Sequence, residues 1–158
     1  MTTGISITPP YGLAIGTQDI RITNRAGADC TKGQILQLDL ACSSEATDNA
    51  EGHALSGLAN CIDPEATANG NAGRQICVVL LEDIADNATG MARVYGRVKA
   101  EGSATVAIGS GITVLAARTL GGATADGSCT YFIALEATAD GTLTEGLFNG
   151  FGWGNASA

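Results

Sequence analysis

Histidine occurs once in this chain, and that scarcity removes most nucleophilic chemistry at the outset. A Ser-His-Asp or Cys-His system needs an imidazole to take the nucleophile's proton. His53 stands alone in the polar stretch "DNAEGHAL" and reads as an exposed loop residue. Basic residues are also few. Eight Lys and Arg stand against sixteen Asp and Glu, a formal net charge of −8. That is the opposite of the basic footprint a nucleic-acid binder carries. The cysteines, at 30, 42, 61, 77 and 129, include no CxxC pair and no spacing under twelve residues. With a single histidine, they make no zinc site. They read as small buried apolar residues in a reducing cytoplasm, without structural disulfides. No apolar run approaches the roughly 18 residues that cross a bilayer. "MTTGISITPPYGLAIGTQ" has neither the basic nor the apolar region of an export signal, so no membrane partner is expected.

Motif by motif, the remaining chemistry falls away. Gly109-Ser110-Gly111 lacks the third glycine, the following helix and the Lys-Ser/Thr of a phosphate-binding loop, so it reads as a bend. The turns "TADGT" and "ATADGS" lack the Asp-x-Asp-x-Asp pattern of a calcium loop. Carboxylate pairs such as Glu82-Asp83 are inevitable among sixteen acids. The expectation is a non-enzyme with no catalytic residue, metal or cofactor.

What the chain has in quantity is glycine, 22 residues in 158, and alternation. Period-two patterns between Gly- and Asn-rich breaks predict strands at "QDIRIT", "QILQLDL", "ALSGLANC" (54 to 61), "QICVVLLE" (75 to 82), 91 to 101, "ATVAIG", "GITVLAA" and "CTYFIALEAT" (129 to 138). The unbroken apolar run at 75 to 82 predicts a strand buried on both faces. "LLEDIADNATGMA" is the best candidate for a helix, interrupted by Gly90. Many short strands with frequent turns predict an all-β fold, a compact barrel or sandwich. The expected organisation is an extended arm over 1–18, a β-barrel domain over 19–145 and a Gly/aromatic tail over 146–158.

Three segments are candidates for contact with other molecules. In the arm, Ile5, Ile7, Tyr11, Leu13 and Ile15 follow no strong period, and Pro9-Pro10 bars the segment from the middle of a sheet. In the tail, Phe148, Phe151 and Trp153 are three of the chain's seven aromatics, set among glycines as a candidate anchor. The third is "ARVYGRVKAE". Ala92, Val94, Gly96, Val98 and Ala100 take one parity, while Arg93, Tyr95, Arg97 and Lys99 take the other. Three of the eight bases thus share one face of one strand, whereas 39 to 86 hold nine acids and a single base, Arg74. The expectation is that this basic face meets acidic residues of another chain.

The order "KGQILQLD" (32 to 39), "GLAN" (57 to 60), "QICVVLLE" and "ARVYGRVKAEGSATVAIGSGITV" resembles the small capsid decoration, or cement, proteins of tailed bacteriophages. Gly96-Arg97-Val98 and Ile108-Gly109-Ser110-Gly111-Ile112 stand where that family has a Val-rich strand, a glycine turn and another strand. Ser110 replaces the acidic residue common in that turn. The resemblance covers about 19 to 116. It implies a tulip-like β-barrel on the outer surface of the expanded head, assembled in the host cytoplasm. It also implies the major capsid protein as partner and homotrimers as the bound unit. A tail or baseplate β domain and a small ligand-binding β module are the alternatives.

Overall fold

The computed structural model describes residues 16–39, 59–64, 76–115, 117–123 and 130–153. Among these residues the regular structure is entirely β, in nine strands: β1 (Gln18–Asn24), β2 (Ile35–Leu38), β3 (Ala59–Ile62), β4 (Cys77–Leu80), β5 (Thr89–Glu101), β6 (Gly111–Val114), β7 (Leu120–Ala123), β8 (Thr130–Ala134) and β9 (Leu143–Trp153). The hydrogen-bonded order is β1-β3-β2-β4-β5-β9-β8-β6-β7, and β1 also pairs with β5. That extra pairing closes β1, β3, β2, β4 and β5 into a ring. The β1–β3 step is parallel and the other pairings are antiparallel. The remaining strands continue from β5 as a second sheet. It curls until Leu120 of β7 bridges Gly102, just past the end of β5.

Two cores result. Inside the ring lie Ile22, Leu36, Cys61, Val78, Leu80, Ala92 and Val94, with Cys30 and Ile84 added from the loops. The second core holds Val98, Ala100, Val106, Ile112, Val114, Leu120, Tyr131, Phe132, Ala134 and Phe148, and it also takes Ile35, Cys77 and Val79 from the ring. β4 therefore sits between the cores. Cys77 and Val79 face one, Val78 and Leu80 face the other, and all four are fully buried. This is the physical origin of the unbroken apolar run: a strand with no solvent face has no position for a polar residue.

β5 belongs to both lobes. Its first half pairs with β1 and β4, and its second half, Tyr95 to Glu101, pairs with β9. The change occurs at a bulge. Gln18 pairs with Tyr95 but Asp19 pairs with Arg93, leaving Val94 as the extra residue. Gly96 follows with φ 114, a conformation that a side chain would strain. A β-carbon there would also lie 2.8 Å from the oxygen of Gly16.

The structure departs from the sequence reading in four places. Residues 80–92 form no helix. Ile84 instead exchanges backbone hydrogen bonds with Cys30 (3.0 and 2.8 Å), and Asn87, at φ 60, turns the chain into β5. "ATVAIG" runs as irregular backbone that turns at Ile108–Gly109. "LGGA", read as turn, is β7. Residues 146–153, expected to trail as a tail, are the second half of β9, which crosses the expected domain boundary. β9 alternates with Thr144, Gly146, Phe148 and Gly150 buried. The glycines admit neighbours: a β-carbon on Gly146 would lie 2.2 Å from the Phe132 ring, and one on Gly150 would lie 2.1 Å from the Cys77 oxygen. Residues 1–15 of the arm, and 154–158, lie outside the described residues.

Candidate functional site: the cleft between the lobes

The alternation of β5 holds in three dimensions. Ala92, Val94, Gly96, Val98 and Ala100 are buried, and Met91, Tyr95, Arg97 and Lys99 are exposed, with Arg93 half-buried among them. In a straight strand Arg93 and Lys99 would stand roughly 20 Å apart, at about 3.3 Å per residue. The bend at Gly96 folds that face on itself. Arg93 reaches forward to donate from Nη1 to the Arg97 carbonyl oxygen. Arg93 and Lys99 then line one cavity of about 250 Å³ together with Lys32, Glu145 and the aliphatic residues Leu80, Leu81 and Val98.

The acids expected to meet this basic face on another chain are present, for two of the bases, in this one. Asp19 is the cross-strand partner of Arg93. Its two carboxylate oxygens accept from Nε at 2.7 Å and from Nη2 at 3.0 Å. Arg97 Nε donates to Glu145 Oε1 at 2.5 Å, although its side chain stays 62% exposed. These contacts raise the affinity of both guanidinium groups for their protons. The Arg97 hydrogen bond also holds the Glu145 carboxyl below its ordinary range. Lys99 lies directly across from Glu145 in the β5–β9 register. Neither Lys32 nor Lys99 has its ammonium in a salt bridge among the described residues.

A second charged feature joins the lobes from behind. Arg118, in the β6–β7 turn at φ 68, accepts with its carbonyl oxygen from the backbone N–H of Ile35 at 2.8 Å. Its guanidinium grips Asp63 with Nε at 2.5 Å and Nη2 at 3.2 Å, and Nη1 approaches Cys30 Sγ at 3.3 Å. Burial nonetheless pushes the Cys30 thiol up, and it raises Cys61 further. Thiols so placed stay protonated and are poor nucleophiles.

The tail candidates separate. Phe148 is fully buried in the second core, Trp153 is half-buried opposite Thr130, and Phe151 is 58% exposed. Ile5, Ile7, Pro9, Pro10, Tyr11, Leu13 and Ile15, like His53, lie outside the described residues. The chain enters the ring beside Gly96, through Gly16 and Thr17. Sequence reasoning missed Lys32 and Glu145 as members of the cleft. Glu145 had a usable signal, since an acid opposite a basic strand is a favourable cross-strand pair. Lys32 had none, because it is placed there by its neighbour Gly33, whose backbone is bonded to Leu80 and Glu101, far off in sequence. The site presents cations beside an aliphatic floor, which suits recognition of an oxyanion.

No family model matches this chain, and no curated protein matches it. Among solved structures, its fold is similar to the crystal structure of the N base of the head fiber protein gp8.5 of bacteriophage phi29. The TM-score is 0.54 at 11% identity, over 85% of this chain and 95% of that one. At that identity the likeness is one of fold.

Proposed function

We propose that the chain is a non-enzymatic structural protein of a tailed-phage virion that binds the outer surface of the expanded head and bridges capsid subunits. The observation that carries this reading is the fold likeness to a phage head fiber base along most of both chains. The sequence resemblance to decoration proteins points the same way. The energetic logic is mass action: a subunit that binds the expanded shell and not its precursor stabilises the shell. Contacts that are weak singly add through repetition over the lattice. The major capsid protein is the proposed partner, and the arm is the proposed contact, with Ile5, Ile7, Tyr11, Leu13 and Ile15 supplying apolar area.

Cosedimentation of the purified chain with expanded heads, and separately with unexpanded precursors, tests the proposal. The expected result is saturable binding to expanded heads and a rise in the temperature at which they rupture. A chain lacking residues 2–15 should show much lower occupancy while its own melting temperature is kept. Absence of binding to expanded heads would overturn the reading. Full occupancy by the truncated chain would move the contact off the arm.

A further inference from the structure

We propose that the cleft between the lobes is a docking site for an acidic segment of a partner protein, with one carboxylate held between Lys32 and Lys99. Arg93 is matched by Asp19 and Glu145 by Arg97, so those four groups cancel in pairs. Lys32 and Lys99 remain. The Asp83 carboxylate accepts from the backbone N–H of Lys32 at 2.7 Å and forms no salt bridge with its ammonium. Lys99 stands across from Glu145, but neither ammonium is in a salt bridge among the described residues, and two such cations on one cavity are unexpected in a chain of net charge −8.

The surroundings define the ligand. Leu80, Leu81 and Val98 form an apolar floor. Next to low-dielectric walls, a cation attracts an anion more strongly than on an open surface. The same floor suits an apolar neighbour of the docked acid. The volume of about 250 Å³ is below the roughly 300–1,000 Å³ of small-molecule pockets, which matches one side chain and its neighbour. A polyanion such as nucleic acid would meet long-range repulsion from the rest of the chain, and a single carboxylate on a mostly apolar segment would not. The partner is thus a protein segment in which Glu or Asp alternates with Leu-like residues.

The isolated chain suffices for the test, so its outcome is independent of whether the chain binds a phage head. An isotope-labelled sample is titrated with the peptide acetyl-Gly-Leu-Glu-Leu-Gly-amide, its Gln counterpart, inorganic phosphate and a short single-stranded DNA. The Glu peptide is expected to shift the amide signals of Lys32, Val98, Lys99 and Glu145 saturably, with weaker binding in high salt. The Gln peptide should leave them in place. The double variant Lys32→Glu/Lys99→Glu, at two exposed positions, should keep the remaining spectrum and weaken the Glu peptide by roughly tenfold or more. Three results would each overturn the proposal: no saturable shift at the cleft, equal binding of the Gln peptide, or phosphate or DNA binding there as tightly as the peptide.

Discussion

The two cores of this molecule are packed with different materials. The ring of β1, β3, β2, β4 and β5 closes over Ile, Leu, Val, Ala and Cys, with no aromatic side chain among the described residues. The lobe built on β9, β8, β6 and β7 contains Tyr131, Phe132 and Phe148, all fully buried or nearly so. A closed five-stranded ring has a narrow interior that branched aliphatic chains fill. The curled second sheet leaves room for aromatic rings, and the Phe132 ring occupies the space a side chain at Gly146 would take. The lesson is that glycine in β9 is a packing residue, paired with a large neighbour on the next strand.

The largest loss is expected at Phe148, at the centre of the aromatic core. Truncation to Ala should cost about 3–5 kcal/mol, a large share of the stability of a domain this size. Since β5 and β4 serve both cores, the ring should be lost along with the aromatic lobe. Urea unfolding followed by far-UV circular dichroism and by fluorescence of Trp153, the chain's one tryptophan, should therefore give coincident transitions. Separate transitions would show that the lobes unfold independently.

Gly146→Ala comes next, with an expected loss of about 1–3 kcal/mol from overpacking against the Phe132 ring. Adding Phe132→Leu should recover part of it, and only part, because the Ile133 carbonyl oxygen also lies 2.6 Å from the new carbon. A strictly additive double variant would sever the proposed link between the two residues. In the ring, Ile22→Val should cost about 0.5–1.5 kcal/mol, the price of one methyl group in a close-packed aliphatic core.

The smallest expected effect is electrostatic. Glu145 has its carboxyl pKa lowered by Arg97. A lowered folded value means a contribution that is complete above the ordinary glutamate pKa of about 4.3 and is lost as pH falls through the lower, folded value. Glu145→Gln should remove that acid-side slope from a pH series of melting temperatures. Arg97 is well exposed, so the change should be slight and should shrink in high salt.

How far the sequence disclosed this arrangement depends on which residues carry the signal. β5 was legible because its buried residues are small or apolar and its outward ones from Arg93 to Lys99 are long and polar. β4 was legible because a strand between two cores admits no polar residue. β9 was not. Its buried positions are Thr144, Gly146, Phe148 and Gly150, and two glycines erase the hydrophobic alternation that marks a strand. β7 hid in the same way behind Gly121 and Gly122. The basic face itself is visible in the sequence, but the partners that two of its bases find within the chain are not. Asp19 and Glu145 become neighbours of Arg93 and Arg97 only once β1 and β9 have paired with β5, which no local pattern announces.

The double pairing of β1 has a mechanical consequence. Tension entering through the residues before Gln18 would run along the strand, which is bonded to β5 on one edge and, over Ile22 to Asn24, to β3 on the other. Those bonds would be loaded in shear and would have to fail together. At the far end, the Asn24 amide nitrogen is tied to the carbonyl oxygens of Ala28 at 2.8 Å and Ile84 at 3.0 Å, which anchors the strand against slipping. A load on β7, held by β6 and by the single bridge to Gly102, would instead peel pairs open one after another. Single-molecule stretching from the N-terminal side should accordingly need a higher rupture force than stretching through a linkage placed in β7.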